Sequence, residues 1–351
     1  MLTSILNATS AKLFLTCDNT LLSQLKNESD LLKNQHKIRA INCTGKTENT
    51  DLQLIANAEA VNKYIQAAIS NNTRRGYQSD LTHFIIWGGT IPATAELVSQ
   101  YLAVHADFLS PATLNRRIVS INRAHTSQGL FSPAKSDLVK ATMRGIRRTK
   151  STKQRQVEPI LKNNLFDMVD GLNGIKGVRD KALLLLGFAG GFRRSELVGL
   201  QYSDIGFVVQ GLLVHLRKSK TDQQGEGRKI AIPFASGNVC TVRALKDWLE
   251  VSKIDSGALF RPVSRHGFIE SSQLSAQAVA VIVKEQATKV GLDARKFSGH
   301  SLRAGLVTSA AQAGVSNWKI KLQTGHKSDA MLNRYIRDAR LFIDNAVGDI
   351  L

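Results

Sequence analysis

Three short runs of this chain carry the side-chain types that a phosphodiester exchange requires. They are His300-Ser301-Leu302-Arg303, then Gly325-His326 followed nine residues later by Tyr335, and, upstream, Gly191-Phe192-Arg193-Arg194-Ser195-Glu196-Leu197. Breaking a phosphodiester without hydrolysis takes a nucleophile, cations for the non-bridging oxygens and an acid for the departing oxygen. Tyrosine suits the first task because its phosphate ester retains the energy of the broken bond, so a hydroxyl can reverse the attack without a nucleotide cofactor. With a pKa of about 10, only about one tyrosine in a thousand is ionised at neutral pH, so it needs a cationic, proton-accepting neighbourhood. Arginines suit the second task through permanently charged forks that bind two oxygens at once. His300 and Arg303, three residues apart, share one face of a helix. No cysteine, histidine or aspartate stands at a zinc-like spacing to His300 and His326, so no metal site is expected.

The remaining sequence must fold to hold these runs together. At 351 residues the chain exceeds one hydrophobic core and predicts two domains. Its 47 Lys and Arg against 28 Asp and Glu leave a net charge of +19, which calls for a polyanionic partner. The basic residues crowd into particular segments, which favours nucleic acid over an acidic membrane. Cys17, Cys43 and Cys240 are far apart and match neither a disulfide framework nor a zinc spacing, as expected of a reducing cytoplasm. Met1–Cys17 lacks the basic start of a signal peptide, and no stretch is apolar for long enough to span a bilayer.

Residues 1–52 hold one helix-like patch, Leu21–Ile38, in polar sequence and read as an arm without an assigned role. From Ala56 the spacing turns helical through Val61, Tyr64, Ile65, Ala68 and Ile69, and again, after a capping region at Asn71-Asn72-Thr73, through Tyr77, Leu81, Phe84, Ile85 and Trp87. Further helices are expected at Ala95–Ala106, at Ser110–Ser127 with Ser110 as N-cap and Pro111 first, and at Ser136–Arg148. Residues 53–150 thus read as a small all-helical domain. Its last two helices are basic, and Arg116, Arg117, Arg144, Arg147, Arg148 and Lys150 are the expected phosphate contacts. Residues 151–157 read as an extended linker.

The second domain, 158–351, opens with helices at Lys162–Leu172 and Arg179–Phe188. Then Leu212, Val214 and Leu216 alternate with Leu213, His215 and Arg217, and Lys229–Phe234 follows the polar stretch Thr221–Gly227, which suggests a β-hairpin. Strand parity puts Lys218 and Lys220 on one face as candidate acids for the leaving oxygen, with Lys229 also near; parity does not choose among them. Further on, Ala310, Gly314, Val315 and Ile320 fit a helix-turn-helix with Ser316 capping its second helix. A non-enzymatic DNA-binding regulator is therefore the second reading, although it leaves Arg193, His300, Arg303 and Tyr335 unexplained. Beyond Tyr335 the tail Leu341-Phe342-Ile343, Ala346-Val347 and Ile350-Leu351 is apolar at helical spacing, too short for a core, and expected to dock elsewhere.

Taken together, the runs resemble the phage integrase family, the tyrosine recombinases, over roughly residues 56–351. The resemblance implies a mainly α protein, with a helical N-terminal core-binding (SAM-like) domain and a mixed α/β, mostly helical catalytic domain carrying a small antiparallel sheet. It implies that Tyr335 attacks a phosphate, that Arg193 and Arg303 grip it, and that His300 and His326 hydrogen-bond it and handle protons. The family pattern of Gly, apolar, Arg, any, Ser, Glu, Leu selects Arg193 over Arg194 and makes Glu196 a structural carboxylate; an ordinary helix-start glutamate is the plain reading. Val214–Thr221 resembles the family's hairpin segment, and that similarity selects Lys220 as general acid. Ala330-Met331-Leu332 departs from the small polar residues frequent before the tyrosine. The implied partners are double-stranded DNA with inverted-repeat sites and further copies of the chain, as a tetramer on two sites with each tail docked in a neighbouring protomer; no cofactor is implied. The resemblance also implies a cytoplasmic setting at the nucleoid. Type IB topoisomerases share this chemistry, but the helical domain and the short tail favour recombination.

Overall fold

The computed structural model describes residues 57–335 apart from 58, 59, 62, 66, 151–156, 218–226, 238, 327, 330, 331 and 334. It divides into two compact units, before and after the step from Gln154 to Arg155. The 1–52 arm, Lys218, Lys220 and the apolar tail lie outside the described residues, as does most of the 151–157 linker.

In the first unit residues 60, 61, 63–65 and 67 are helical. They are followed by α1 (Asn71–Ile86), α2 (Ala95–His105), α3 (Pro111–Thr126) and α4 (Asp137–Thr149). Each of these four starts on a hydroxyl: Ser70, Thr94, Ser110 and Ser136 each accept from the backbone amide three residues on. The expectation for Ser110 and Pro111 holds. For α1 the cap is Ser70, and Asn71-Asn72-Thr73 forms the first turn. In α4, Val139, Met143 and Ile146 turn inward to join Leu81, Phe84, Tyr101, Leu102, Leu114 and Ile121, while Arg144, Arg147 and Arg148 stay exposed. Lys150 pairs with Asp107, and the half-exposed Arg116 donates to Asp80 at 2.9 Å.

Arg117 is not a surface cation. It is 8% exposed, donates Nη1 to the Tyr101 hydroxyl and to His83 Nδ1, and holds Nε 3.7 Å from the Asp80 carboxylate. The cause is helical spacing: Leu114, Arg117, Ile121 and Ala124 share the core face of α3, so a guanidinium placed there must find a buried acid. Asp80, itself buried on α1, supplies it. Arg117 is therefore removed from the expected phosphate contacts.

The second unit runs α5 (Lys162–Val169), α6 (Gly174–Ala189), α7 (Arg194–Gly199), β1 (Ile205–Val208), β2 (Gly211–Leu216), β3 (Arg228–Pro233), α8 (Thr241–Ser252), α9 (Ala276–Lys289), α10 (Ser301–Gln312) and α11 (Asn317–Thr324). It is mostly helical with one small antiparallel sheet, as expected. Helix α6 is its centre: Ala182–Leu186 are all buried, and α8 and α10 pack against it, so it shows no amphipathic stripe. The sheet is ordered β1-β2-β3, with Leu212 opposite Ile232 and Val214 opposite Ile230 on the core face. The same register sets Lys229 opposite His215 on the exposed face. Helix α10 lies so close to the start of the unit that a Cβ on Gly305 would stand 1.9 Å from the Ile160 carbonyl oxygen. Only glycine fits there.

Candidate active site

Arg193 is the N-cap residue of α7. Glu196, buried in the first turn, accepts from the Arg193 backbone amide at 2.9 Å and from its Nη1 at 2.5 Å. One carboxylate thus caps the start of the helix and holds the guanidinium. Arg194 is exposed.

Arg303, on the first turn of α10, is only 1% exposed. Its Nη1 donates to the carbonyls of Gly191 and Thr324, both at 2.6 Å, while Nη2 is buried without a partner among the described residues. Arg303 therefore joins the loop before α7 to the end of α11. Burial, with the charge of Arg193, lowers its pKa to about 10, which still leaves it cationic at neutral pH.

The end of α11 presents His326. Gly325 closes the helix in the left-handed region, with φ 67°, and donates to the Lys321 carbonyl at 2.8 Å. The Thr324 hydroxyl donates its one proton to the Ile320 carbonyl at 2.7 Å. The 2.7 Å contact between that hydroxyl and His326 Nδ1 must then be donated by the imidazole, which leaves the lone pair on Nε2. Burial, reinforced by Arg303 and Arg193, pushes His326 down to about 3. His300 is lowered for the same reasons, burial first and then Arg303, Arg193 and Arg194. Its Nε2 lies 3.1 Å from the Tyr335 hydroxyl, and the Tyr335 ring packs on Val307, Ala311, Ile320 and Leu332. A neutral imidazole at this distance can receive the phenolic proton.

In the DNA-free protein His326 is expected to stay neutral from about pH 8 to about pH 5, read from its imidazole resonances. A midpoint near the ordinary 6.5 would contradict its burial. The sign for stability follows: below about 6.5 the unfolded histidine takes up a proton that the folded one refuses until about 3, so stability falls as pH drops through that window. Denaturant melts on either side of it provide the check.

A third guanidinium, not expected from the sequence, belongs to the same region. Arg228 opens β3 on the inward face with Ile230 and Ile232, and its Nη1 donates to the carbonyls of Gln323 at 2.6 Å and Leu322 at 3.4 Å. It lies over Gly325, where a Cβ would come within 3.0 Å of the Arg228 Cζ. Strand alternation carried the signal: a basic residue in phase with Ile230 and Ile232 cannot face solvent as Lys229 does.

Arg193, Glu196, His300, Arg303, His326 and Tyr335 thus converge within the second unit. The α10–α11 turn, with Gly314 at φ 74° and Ser316 before α11, has the expected helix-turn-helix form, but the end of its second helix is taken up by the arginines. Among the described residues no group of three or more His, Cys, Asp or Glu is placed to hold a metal ion, and no helix is long and apolar enough to cross a membrane.

The model of the phage integrase family matches residues 150–340. An integrase/recombinase xerD homolog of Selenomonas ruminantium is 42% identical over 294 residues, covering 81% of this chain and 86% of that protein. The likeness to the recombinase cre of Escherichia phage P1 is weaker, 26% over 268 residues, covering 70% and 77%. The crystal structure of XerH site-specific recombinase bound to its palindromic difH substrate shares the fold, with TM-score 0.57 and 18% identity over 79% of this chain and 78% of that one.

Proposed function

Because this chain belongs to the phage integrase family, the tyrosine recombinases, we propose that it exchanges strands between two double-stranded DNA sites through a 3′-phosphotyrosyl intermediate and a Holliday junction. The observation that carries this reading is the Tyr335 hydroxyl 3.1 Å from His300 Nε2, in a site where a buried Arg303 N–H group has no partner among the described residues. Tyr335 attacks phosphorus as its proton passes to His300; the bond from phosphorus to the 5′-oxygen breaks, and Lys220 protonates the leaving oxygen. Arg193 and Arg303 bear the charge that builds on the non-bridging oxygens, with Glu196 holding Arg193. The 5′-hydroxyl of the partner strand then attacks the phosphotyrosine, restoring Tyr335, and a second round resolves the junction. One phosphodiester replaces another at each step, so no ATP is required and no metal is assigned a role.

Both units contact the DNA in this reading, residues 151–157 link them, and 158–351 is the catalytic domain. Arg144, Arg147 and Arg148, exposed along α4, support phosphate contact by the first unit, and the same role is assigned to Arg116 and Lys150, each paired with an acid in this structure. DNA affinity is expected to fall by about 0.9 log units per tenfold salt for each phosphate neutralised; a nearly flat response would count against these contacts. The sites are inverted repeats held by a tetramer in the cytoplasm. The exposed Trp318 and Leu322, one turn apart on α11, and the apolar tail support subunit contact.

The test is covalent capture. Nicked duplexes from a random-sequence pool are mixed with the protein in EDTA, and a denaturant-stable adduct through Tyr335 is expected. DNA that is retained without an adduct would shift the reading to a non-enzymatic binding protein.

A further inference from the structure

Resting on the reading above, we propose that Arg228 is a third phosphate-binding arginine of the active site, its Nη2 reserved for a non-bridging oxygen of the scissile phosphate. Arg228 repeats the arrangement of Arg303. In each, Nη1 is tied to carbonyls at the end of α11, Leu322 and Gln323 for Arg228 and Thr324 for Arg303. In each, Nη2 is buried and has no partner among the described residues. A buried N–H group left unmatched destabilises the fold unless a partner arrives, and two such groups of positive charge beside one histidine fit an anion. The carbonyl end of α11 is the negative pole of that helix and holds both forks in place before DNA binds, so little side-chain freedom is lost on binding.

The charge balance points the same way. Arg228 lies within electrostatic reach of Arg193, Glu196, Arg303 and His326. Among the described residues three guanidinium charges face the one carboxylate of Glu196, which leaves two positive charges uncompensated there. A phosphodiester carries one negative charge, and the pentacovalent state reached on tyrosine attack carries about two, so the site matches the transition state better than the ground state. The plain alternative is that Arg228 only caps α11 and thereby steadies the His326 loop.

The experiment separates the two. A nicked duplex captured by the wild-type protein is prepared with either the native phosphate or a neutral methylphosphonate at the cleaved position, and single-turnover adduct formation is measured for wild type and Arg228→Ala. The variant is expected to be about a hundredfold slower on phosphate. On methylphosphonate most of that deficit should vanish, because the charge that Arg228 answers is gone. An equal deficit on both substrates overturns the proposal and makes Arg228 a positioning residue. Where Arg228→Ala does not fold, by thermal melting, Arg228→Gln serves in its place, since it keeps an N–H for the Gln323 carbonyl and lacks the charge. Absence of any adduct with the wild-type protein on every duplex would overturn the recombinase reading itself, and this proposal with it.

Discussion

Tyr335→Phe is expected to abolish covalent capture of DNA and to lower strand exchange on the order of a millionfold, the scale on which loss of a covalent nucleophile acts. The substitution removes one oxygen and leaves the ring, so the packing on Val307, Ala311, Ile320 and Leu332 persists. The lost hydrogen bond to His300 is only partly buried and should cost about 1 kcal/mol of stability. DNA binding, read by gel shift, should be unchanged at equal salt. Adduct formation by the variant at more than a trace would move the nucleophile to another residue.

The second large effect is expected at Arg303, where the proposed mechanism and the fold use one side chain. Arg303→Ala should slow single-turnover cleavage by about two to three orders of magnitude, the effect of losing a donor aimed at developing negative charge. It should also destabilise the second unit, because the carbonyls of Gly191 and Thr324 lose a charged donor, at about 1–3 kcal/mol for each buried group left unmatched. Part of that loss is offset by removing a buried cation that Arg193 and Arg228 repel. Arg303→Lys keeps the charge, but one ammonium cannot span two carbonyls and a phosphate with the geometry of a fork, so its cleavage should stay well below wild type. Urea melts beside cleavage rates test the pair. A wild-type melting midpoint for Arg303→Ala would show that the bonds to Gly191 and Thr324 do no more than offset the cost of burying a cation beside Arg193 and Arg228.

Much of this site is legible in the sequence because its signals are local. The spacing of His300 to Arg303 is one helical turn, the Arg193–Glu196 pair is a helix start, and the hairpin announces itself by alternation at Leu212, Val214 and Leu216. What escapes depends on distant partners or short elements. Arg117 reads as a surface cation until Asp80, on another helix, is seen to neutralise it. Arg228 reads as one more hairpin cation until the end of α11 arrives beneath it. Strand β1 has four residues, one of them Gly206, too few for alternation to register. Helix α6 begins at Gly174, earlier than its apolar spacing implies, because glycines at 174 and 177 weaken the helical signal of its first turn.

The close approach of Gly305 to Ile160 bears on how such a protein could be redirected to new DNA sequences. Behind α10 there is no room for a methyl group, and on its front turn Arg303 is bonded to two other segments. A helix clamped on both sides cannot drift by small steps, since a side chain at 305 would clash and a change at Arg303 would break two bonds. Within this turn Gly305 and Arg303 are therefore the positions at which substitution is expected to be least tolerated. Room for change lies on exposed surfaces away from these two clamps, where a substitution leaves the Gly305 and Arg303 contacts intact.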